Sequence, residues 1–377
     1  MLRTLPSESV HTVITSPPYW GLRDYGIDGQ LGLERCLGDH IAVMVDVFRE
    51  VRRVLRSDGT LWLNYGDCYA ASVNGRSAAD TKATGNDDRA FRDKPFSTVG
   101  PIYIADAEAG DRRGGACKQR THDNGTEQHR GRIAAGGFLK PKDLCGVPWR
   151  VAFALQEDGW WLRQDIIWSK PNPMPESVTD RCTKAHEYLF MLAKSARYYY
   201  DNDAIREPYN QESLSRYDSP MMGCAPQARQ PNGDVARRER EKGLKQPNPL
   251  GRTRRSVWEI ATAPFQEAHF ATFPPALVEP CILAGSPKGG VVLDPFGGAG
   301  TTGLVADRLG RNAILCELNP EYVAIAERRI TNDAPLFSDV KRSQAEADAD
   351  FAGSLEVAYD SIKQRVASGG PKGWAEE

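Results

Sequence analysis

Residues 291–302 read VVLDPFGGAGTT. The first three apolar residues predict a buried β-strand, and the glycines that follow predict a tight turn that opens a helix. Such a turn lets the backbone approach a ligand closely, and the N-terminus of the following helix adds oriented N–H donors. This stretch therefore predicts a ligand-binding loop at the end of a strand in an α/β sheet.

The glycine loop lacks the signatures of phosphate binding. It contains neither the lysine of GxxxxGK[ST] nor the glycine spacing of GxGxxG. Glu317 ends the next predicted strand, where a carboxylate in this architecture accepts hydrogen bonds from ribose hydroxyls. An adenosyl ligand without phosphates fits these features best, and a purely structural tight turn is the alternative.

A second loop, TSPPYW at residues 15–20, follows a short apolar strand predicted over residues 9–15. Its two prolines remove two N–H donors and leave carbonyl oxygens free to accept hydrogen bonds. Ser16 and the Pro17 carbonyl could accept both protons of a nucleobase amino group, which favours the nucleophilic form of its nitrogen. Tyr19 could stack on that base, which must first be flipped out of a duplex. A rigid turn with a core aromatic is the alternative.

Helix and strand patterns alternate around these two loops, which predicts an α/β protein built on a parallel sheet. A helix is predicted over 39–55, and SDG at 57–59 is predicted to end it before a strand over 60–64. The remaining predicted elements are a helix over 148–157, strands over 161–168 and 186–192, a helix over 304–309, a strand over 312–316 and a helix over 320–330. Two polar stretches, about 70–142 and 206–255, interrupt this pattern as insertions.

Composition excludes several classes of protein. The 377 residues are 40% hydrophobic and 26% charged, and no apolar run is long enough to span a bilayer. The N-terminus lacks the pattern of a signal peptide, so we expect a cytoplasmic protein with no membrane partner. The eight cysteines show no CxxC pair, which favours reduced thiols. Cys117, His122 and His129 match no common zinc module, so no metal site is expected.

Positive charge is concentrated in the second polar stretch, although the net charge of the chain is −2. The basic residues there are Arg237, Arg238, Arg240, Lys242, Lys245, Arg252, Arg254 and Arg255. Only Asp234, Glu239 and Glu241 oppose them, so this segment is a candidate surface for contacting nucleic-acid phosphates. A solvated loop is the alternative.

Taken together, residues 15–19 and 294–302 resemble motifs IV and I of the amino-methylating DNA methyltransferases. Three shorter stretches resemble other segments of the same family: WSKPNP at 168–173, HEYLF at 186–190 and HFATFP at 269–274. The catalytic motif precedes the cofactor motif, an order that resembles the β class. In that class the target-recognition region lies between the middle strands and the cofactor segment, which corresponds here to residues 205–255.

The resemblance implies a Rossmann-like S-adenosylmethionine-dependent methyltransferase sheet with helices on both faces and long polar insertions. The implied divisions are a catalytic-motif half (1–69), a polar insertion (70–142), core strands (143–204), a target-recognition region (205–255), a cofactor-binding half (256–332) and a C-terminal tail (333–377). Family members usually carry a Gly-Asp strand upstream of the catalytic motif, and that segment would precede Met1.

The resemblance also implies roles for individual residues. S-adenosylmethionine would be surrounded by Asp294, Phe296, Gly298, Gly300, Thr301 and Glu317, with Phe270 and Phe273 at the far side of its pocket. The target base would be held by Ser16, Pro17, Pro18 and Tyr19. DNA phosphates would be contacted by Arg237, Arg238, Arg252, Arg254 and Arg255. Ser16 is similar to the cytosine-N4 subgroup, with adenine N6 as the alternative. Double-stranded DNA is the expected partner, and a homodimer and a cognate restriction endonuclease are further candidates.

Three rival functions make different demands on the sequence. Carbon-5 cytosine methylation needs a nucleophilic cysteine, but Cys281 lies on an apolar helical pattern and is predicted to be a core residue. Methylation of a protein glutamine or an RNA base is the second rival, but those families usually place the cofactor motif first. A DNA-binding module that has lost catalysis is the third, and it predicts no binding of S-adenosylmethionine.

Overall fold

The computed structural model describes residues 1–21, 27, 29–34, 36–70, 139–140, 142–210, 248–263, 273–335 and 340–341. Its strands are β1 (Val10–Thr15), β2 (Leu55–Tyr65), β3 (Trp161–Ser169), β4 (His186–Ala193), β5 (Val257–Glu259), β6 (Val291–Asp294) and β7 (Asn312–Leu315). Its α-helices are α1 (Leu37–Val54), α2 (Val147–Glu157), α3 (Pro275–Gly285), α4 (Thr301–Arg308) and α5 (Pro320–Asp333). Leu2–Thr4 and Asp203–Ile205 are short 3₁₀ helices.

The seven described strands form one mixed sheet in the order β5-β3-β4-β2-β1-β6-β7. β1 pairs in parallel with β2 and β6, β6 with β7, and β3 with β5. β4 runs antiparallel to both of its neighbours, β2 and β3. The predicted α/β class with a Rossmann-like sheet is therefore confirmed, and β4 is the exception to the predicted parallel arrangement.

One predicted turn has a different form. The sequence predicted that residues 57–59 would separate α1 from the next strand, but β2 begins directly after α1, at Leu55. Val10 pairs with Leu55 and Thr12 pairs with Thr60, so β2 has more residues than β1 between these two pairs. The polar residues therefore bulge from the strand, and its regular pairing resumes where the predicted strand began.

Helices cover both faces of the sheet, as the resemblance implied. On one face, Phe48 of α1 and Val151 of α2 pack in a buried cluster with Leu63 of β2. On the other face, Ile282 of α3 and Val305 of α4 belong to a second buried cluster. Burying a side chain of this size contributes roughly 1.5 to 3 kcal/mol, so the two clusters hold the sheet between its helices.

Several strand ends meet at one edge of the sheet. β1, β2 and β6 run in the same direction and end at Thr15, Tyr65 and Asp294. Ser169, the last residue of β3, pairs with His186, the first residue of β4. This edge, called the carboxyl edge below, is where ligands bind in open α/β sheets.

Some sequence predictions fall outside the described residues. They concern most of the 70–142 insertion and of the 333–377 tail, and the following residues: Cys117, His122, His129, Arg237, Arg238, Arg240, Lys242, Lys245 and Phe270. Within the described part of the chain, no helix is both long enough and apolar enough to cross a membrane.

Candidate active site

The glycine loop connects β6 to α4 at the carboxyl edge. Gly298 and Gly300 have positive φ angles of 49° and 77°, a region that glycine enters without steric cost. A Cβ on Gly300 would lie 2.7 Å from the Cβ of Ala326 in α5, so the loop packs directly against that helix. A Cβ on Gly298, by contrast, would meet only the Phe296 carbonyl oxygen, at 3.9 Å, so space remains beside that residue.

Glu317 follows β7 and contacts the glycine loop. One carboxylate oxygen accepts a hydrogen bond from Gly298 N at 2.7 Å, and the other accepts one from Asn319 N at 2.8 Å. These two backbone donors fix the orientation of the half-buried carboxylate. Because a carboxylate has about four lone-pair sites, Glu317 retains acceptor capacity for the hydroxyls of a ligand.

Asp294 is fully buried and joins the two predicted loops. Oδ1 accepts from Thr15 Oγ1 at 2.6 Å and from Phe296 N at 3.1 Å, and Oδ2 accepts from Thr302 Oγ1 at 2.7 Å. Burial raises the pKa of this carboxyl to about 6, although these hydrogen bonds act to lower it. The contact between Thr15 and Asp294 holds the ends of β1 and β6 together.

Two other residues assigned to the cofactor, Phe296 and Thr301, lie at the same loop, whereas Phe273 lies elsewhere, before α3. Phe296 is half-buried within the loop, and Thr301 is the first residue of α4. Thr301 Oγ1 accepts from Arg329 of α5 at 2.9 Å, and the same guanidinium nitrogen donates to the Ala299 carbonyl at 3.1 Å. Phe273 precedes α3 and packs against the second core cluster.

The catalytic loop, residues 16–19, also lies at the carboxyl edge. Tyr19 Oη donates to Glu187 Oε2 at 2.8 Å, and Asn64 Oδ1 lies 3.1 Å away as a second acceptor. Ser16 Oγ donates to Tyr19 Oη at 3.4 Å. The ring of Tyr19 stacks on Tyr65 with centroids 5.1 Å apart. Side chains from β2 and β4 therefore set the position of Tyr19.

The site prediction did not include Glu187, which lies beside this loop. Its Oε1 forms an ion pair with Lys170 Nζ, and Lys170 also lies 4.2 Å from the ring centre of Trp168. Burial acts to raise the pKa of Glu187, but Lys170 and the hydrogen bonds from Tyr19 and Asn64 hold it below its usual value. The one sequence signal was an acidic residue in the HEYLF stretch.

A second group of residues that the sequence analysis did not identify contacts the catalytic loop on its buried side. Tyr65 Oη donates to the Pro18 carbonyl at 3.3 Å and contacts Nε2 of the buried His40 in α1. His40 Nδ1 in turn pairs with Glu34 at 2.7 Å. These three residues belong to different elements, and no spacing in the sequence connects them.

The arginines assigned to DNA precede the edge strand β5. Arg252 and Arg255 lie 3.3 and 3.5 Å from Glu207 Oε2, and Arg254 lies over the ring of Trp258. Glu207 and Arg252 also form an isolated antiparallel bridge. The side chain of Arg255 remains 69% exposed. Both ion pairs compete with any role of these arginines in phosphate contact.

Cys281, the residue that invited the carbon-5 comparison, lies in α3. It is fully buried and its thiol donates to the Leu277 carbonyl within the same helix. Burial raises the pKa of this thiol well above its usual value, which disfavours a nucleophilic thiolate. The prediction of a core cysteine is confirmed.

The residues present fit an adenosyl ligand. The glycines admit close approach, the oriented Glu317 carboxylate matches ribose hydroxyls, and the catalytic loop meets the glycine loop through Thr15 and Asp294. A mixed α/β sheet with this site at its carboxyl edge is the fold of an S-adenosylmethionine-dependent methyltransferase.

Comparison with known proteins narrows this class. A family model described as DNA methylase, covering N6 and N4 enzymes, matches residues 10–328. The chain is 43% identical over 88% of its length to the type II methyltransferase M.Cfr9I of Citrobacter freundii, covering 85% of that protein. It is 42% identical over 86% of its length to M.SmaI of Serratia marcescens, covering 86% of that protein.

The fold is also similar to a solved structure. The PvuII DNA methyltransferase (cytosine-N4-specific) aligns over 98% of this chain and 89% of its own, with a TM-score of 0.50 and 18% identity.

The chain belongs to the N6/N4 DNA methylase family. It is therefore an S-adenosylmethionine-dependent enzyme that methylates an exocyclic amino group in DNA.

Proposed function

We propose that this enzyme methylates the N4 amino group of cytosine within a specific sequence of double-stranded DNA. The observation that carries the choice of base is Ser16. Its neutral hydroxyl occupies the first position of the catalytic loop, where adenine-N6 enzymes more often have Asp or Asn. Ser16 follows Thr15 at the carboxyl edge, and Thr15 contacts Asp294 at the start of the glycine loop.

Cofactor binding is assigned to the glycine loop and its neighbours. Glu317 would accept hydrogen bonds from the ribose, Gly298 would allow the backbone to approach the adenosyl group, and Gly300 would let the loop pack against α5. Asp294 would act by holding this loop against β1, because its carboxylate oxygens already accept from Thr15, Thr302 and the loop backbone. S-adenosylmethionine supplies a methyl group on a positively charged sulfur that an amine can attack directly.

The catalytic loop prepares the amine. Ser16 Oγ and the Pro17 carbonyl would accept its two protons, which favours a nitrogen lone pair directed at the methyl group. The stacked pair of Tyr19 and Tyr65 holds a flat aromatic surface at this place, suited to stacking of a flipped base. Rate enhancement then comes mainly from positioning and from hydrogen-bond polarisation, without a covalent enzyme intermediate.

Recognition of the DNA is assigned to residues 205–255. Arg255 is the described arginine of this region with the most exposed side chain to offer a phosphate, and the ion pairs with Glu207 would keep the start and end of the region together. The relatives are named type II methyltransferases, which supports a place beside a restriction endonuclease of the same specificity. A homodimer remains a prediction.

The test is the identity of the methylated base. Duplex DNA methylated by the enzyme is digested to nucleosides and analysed by mass spectrometry, and N4-methylcytosine is expected. Ser16→Ala should lower turnover by about 100-fold, because one positioned hydrogen-bonding group is lost at the reacting atom. Its affinity for S-adenosylmethionine, measured by calorimetry, should change little.

Ser9→Ala is the matched control. Ser9 lies just before β1, at the opposite end of the strand from Ser16, and its hydroxyl donates only to the nearby Pro6 carbonyl among the described contacts. This variant should keep full activity. N6-methyladenine as the product would move the substrate to adenine. The absence of any heat of S-adenosylmethionine binding to the wild-type protein would favour a catalytically inactive DNA-binding module.

A further inference from the structure

Glu187 lies beside the catalytic loop but has no role in the methyl transfer proposed so far. It is the second residue of β4, at the carboxyl edge, and its side chain is only 18% exposed. One of its oxygens accepts from Tyr19 and the other pairs with Lys170. Placing an acidic side chain among these partners costs desolvation free energy, so its position needs an explanation beyond packing.

The hydrogen bonds from Ser16 to Glu187 all point in one direction. Ser16 Oγ donates to Tyr19 Oη, and Tyr19 Oη donates to Glu187 Oε2. The single Tyr19 proton favours Glu187 over Asn64, because the carboxylate is charged and closer, at 2.8 Å against 3.1 Å. Since the Ser16 proton points towards Tyr19, the lone pairs of Ser16 Oγ are left for the incoming amine.

We propose that Glu187 is the terminal proton acceptor of a relay through Tyr19 and Ser16 that removes one proton from the target amine as the methyl group arrives. This inference rests on the proposed function. Glu187 acts through other residues and is therefore a positioning residue. Ser16 is the member of the relay that touches the base.

The step balances in atoms and electrons. The amine nitrogen forms a bond to the methyl carbon while the carbon–sulfur bond breaks and sulfur keeps the electron pair. The nitrogen gives one proton to Ser16 Oγ, the Ser16 hydroxyl proton moves to Tyr19 Oη, and the Tyr19 proton moves to Glu187. The relay ends with a neutral Glu187 carboxyl, which returns its proton to water.

The surroundings of Glu187 keep it ready to accept a proton. Lys170, directly after β3, pairs with it, and Lys184 just before β4 and His186 at its start interact with it electrostatically. The ammonium groups of Lys170 and Lys184 favour the ionised carboxylate, while Tyr19 and Asn64 donate to it. A weak base suffices here, because the lone pair of a nucleobase amine is delocalised and its protonated form is a strong acid.

The test compares Glu187→Gln and Tyr19→Phe with Glu50→Gln. Glutamine keeps the size and a hydrogen-bond acceptor but cannot take the proton, and phenylalanine keeps the ring but breaks the relay. Each should lower the single-turnover rate by about 100-fold, a typical contribution of positioned proton transfer. The double variant should lose no more than either single variant, because both changes interrupt one chain. Glu50→Gln, which removes only the ion pair with Arg53 on α1, should retain the wild-type rate.

Two further readouts separate a relay from a merely structural role. The wild-type single-turnover rate should fall in D₂O, and this solvent isotope effect should shrink in Tyr19→Phe. In the cofactor-free protein, the infrared difference between wild type and Glu187→Gln should contain an ionised carboxylate band that shifts in Tyr19→Phe. The affinities of both variants for DNA and for S-adenosylmethionine should stay within about threefold of the wild-type values, well short of a tenfold change.

Three results would overturn the relay. They are a Tyr19→Phe enzyme with an unchanged rate and isotope effect, a protonated Glu187 in the infrared spectrum, and affinities that fall in parallel with the rate. If Glu187→Gln does not fold, Tyr19→Phe still decides the question, because it leaves the pair of Glu187 and Lys170 intact. The rates are ratios to wild type on its own substrate base. A wild-type product of N6-methyladenine would therefore refute the cytosine assignment and leave the relay to be judged separately.

Discussion

The two loops that meet at the carboxyl edge are built in different ways. The glycine loop takes its shape from missing side chains, with Gly298 and Gly300 at positive φ and Gly300 against Ala326. The catalytic loop takes its shape from side chains on other elements, chiefly Tyr65 of β2 and Glu187 of β4. A short motif therefore specifies most of the first loop, whereas the second depends on contacts between residues far apart in the chain.

This difference predicts which property of the enzyme a substitution in each loop should change. Adding an atom to the glycine loop at Gly300 should disturb both stability and cofactor affinity, because the loop assigned to the cofactor packs tightly against α5 there. Changing a support of the catalytic loop should lower turnover and leave cofactor affinity intact. The link between Thr15 and Asp294 belongs to both loops, so it should show both effects.

Gly300→Ala should have the largest effect. A residue with a Cβ pays about 1 to 2 kcal/mol at this positive φ, and the clash with Ala326 adds about 1 to 3 kcal/mol. The free energy of unfolding, measured with denaturant, should therefore fall by about 2 to 5 kcal/mol. S-adenosylmethionine affinity, measured by calorimetry, should fall at least about tenfold, which corresponds to about 1.4 kcal/mol.

Gly289→Ala is the matched control for this prediction. Gly289 has a similar φ of 72°, but a Cβ there would meet no atom within 4 Å. It should lose only the backbone term, about 1 to 2 kcal/mol, and should bind cofactor normally. Equal losses in the two variants would show that close packing against α5 is not what the loop requires.

Thr15→Val should come next, and its effect should depend on pH. The change removes a hydrogen bond to a buried carboxylate, which is worth about 1.5 to 3 kcal/mol. The pKa of Asp294 in the folded protein is about 6, above the value of 3.8 in the unfolded chain. Folding therefore favours the protonated carboxyl. The stability that Asp294 contributes in this form is lost as the pH rises through about 6. Thr15 stabilises the ionised form, so the variant's pKa should rise further. Denaturant unfolding should show the full loss at about pH 8 and a smaller loss below about pH 6.

Thr12→Val separates charge from packing. Thr12 is equally buried on β1, but its hydroxyl bonds to Thr60, a neutral partner. Its loss of stability should be about 0.5 to 1.5 kcal/mol and independent of pH over the same range. A pH-independent loss in Thr15→Val as well would show that Asp294 does not titrate near pH 6.

Gly66→Ala should have the smallest effect on stability and a selective effect on turnover. A Cβ on Gly66 would overlap the ring of Tyr19, which its hydrogen bonds prevent from moving freely. We expect about 1 to 2 kcal/mol of strain, seen as a roughly tenfold loss of single-turnover rate with unchanged cofactor affinity. Gly38→Ala is the control, because the nearest atom to its Cβ is Cys36 Sγ at an ordinary 3.7 Å. A drop in cofactor affinity for Gly66→Ala would contradict the prediction that changes at the catalytic loop affect turnover alone.

Much of the fold could be predicted from periodicity. The predicted helix over 148–157 matches α2, and the predicted strands over 161–168 and 186–192 match β3 and β4. Strand direction could not be predicted, because the alternation that makes β4 a strand is the same in both directions. The bulge after Leu55 could not be predicted either, since it arises from register with β1.

The candidate site divides in the same way. Asp294 and Glu317 could be found because they adjoin a glycine motif and the next strand end. Glu187 and His40 could not, because their partners lie on other elements and become neighbours only through sheet pairing and helix packing. The ion pairs of Arg252 and Arg255 with Glu207 were likewise invisible in a count of local charge.

The sequence by itself determined the class of sheet, the glycine turn and the serine-proline loop, because strand periodicity, positive-φ glycines and proline geometry are local properties of the chain. Tertiary structure alone decided that Thr15 donates a hydrogen bond to Asp294 and that Glu187 accepts one from the Tyr19 hydroxyl. Those contacts depend on which strands pair and in what register, and that outcome is set by burial of the whole core. The two motifs of the candidate site are therefore local features of the sequence, but only the fold brings them together.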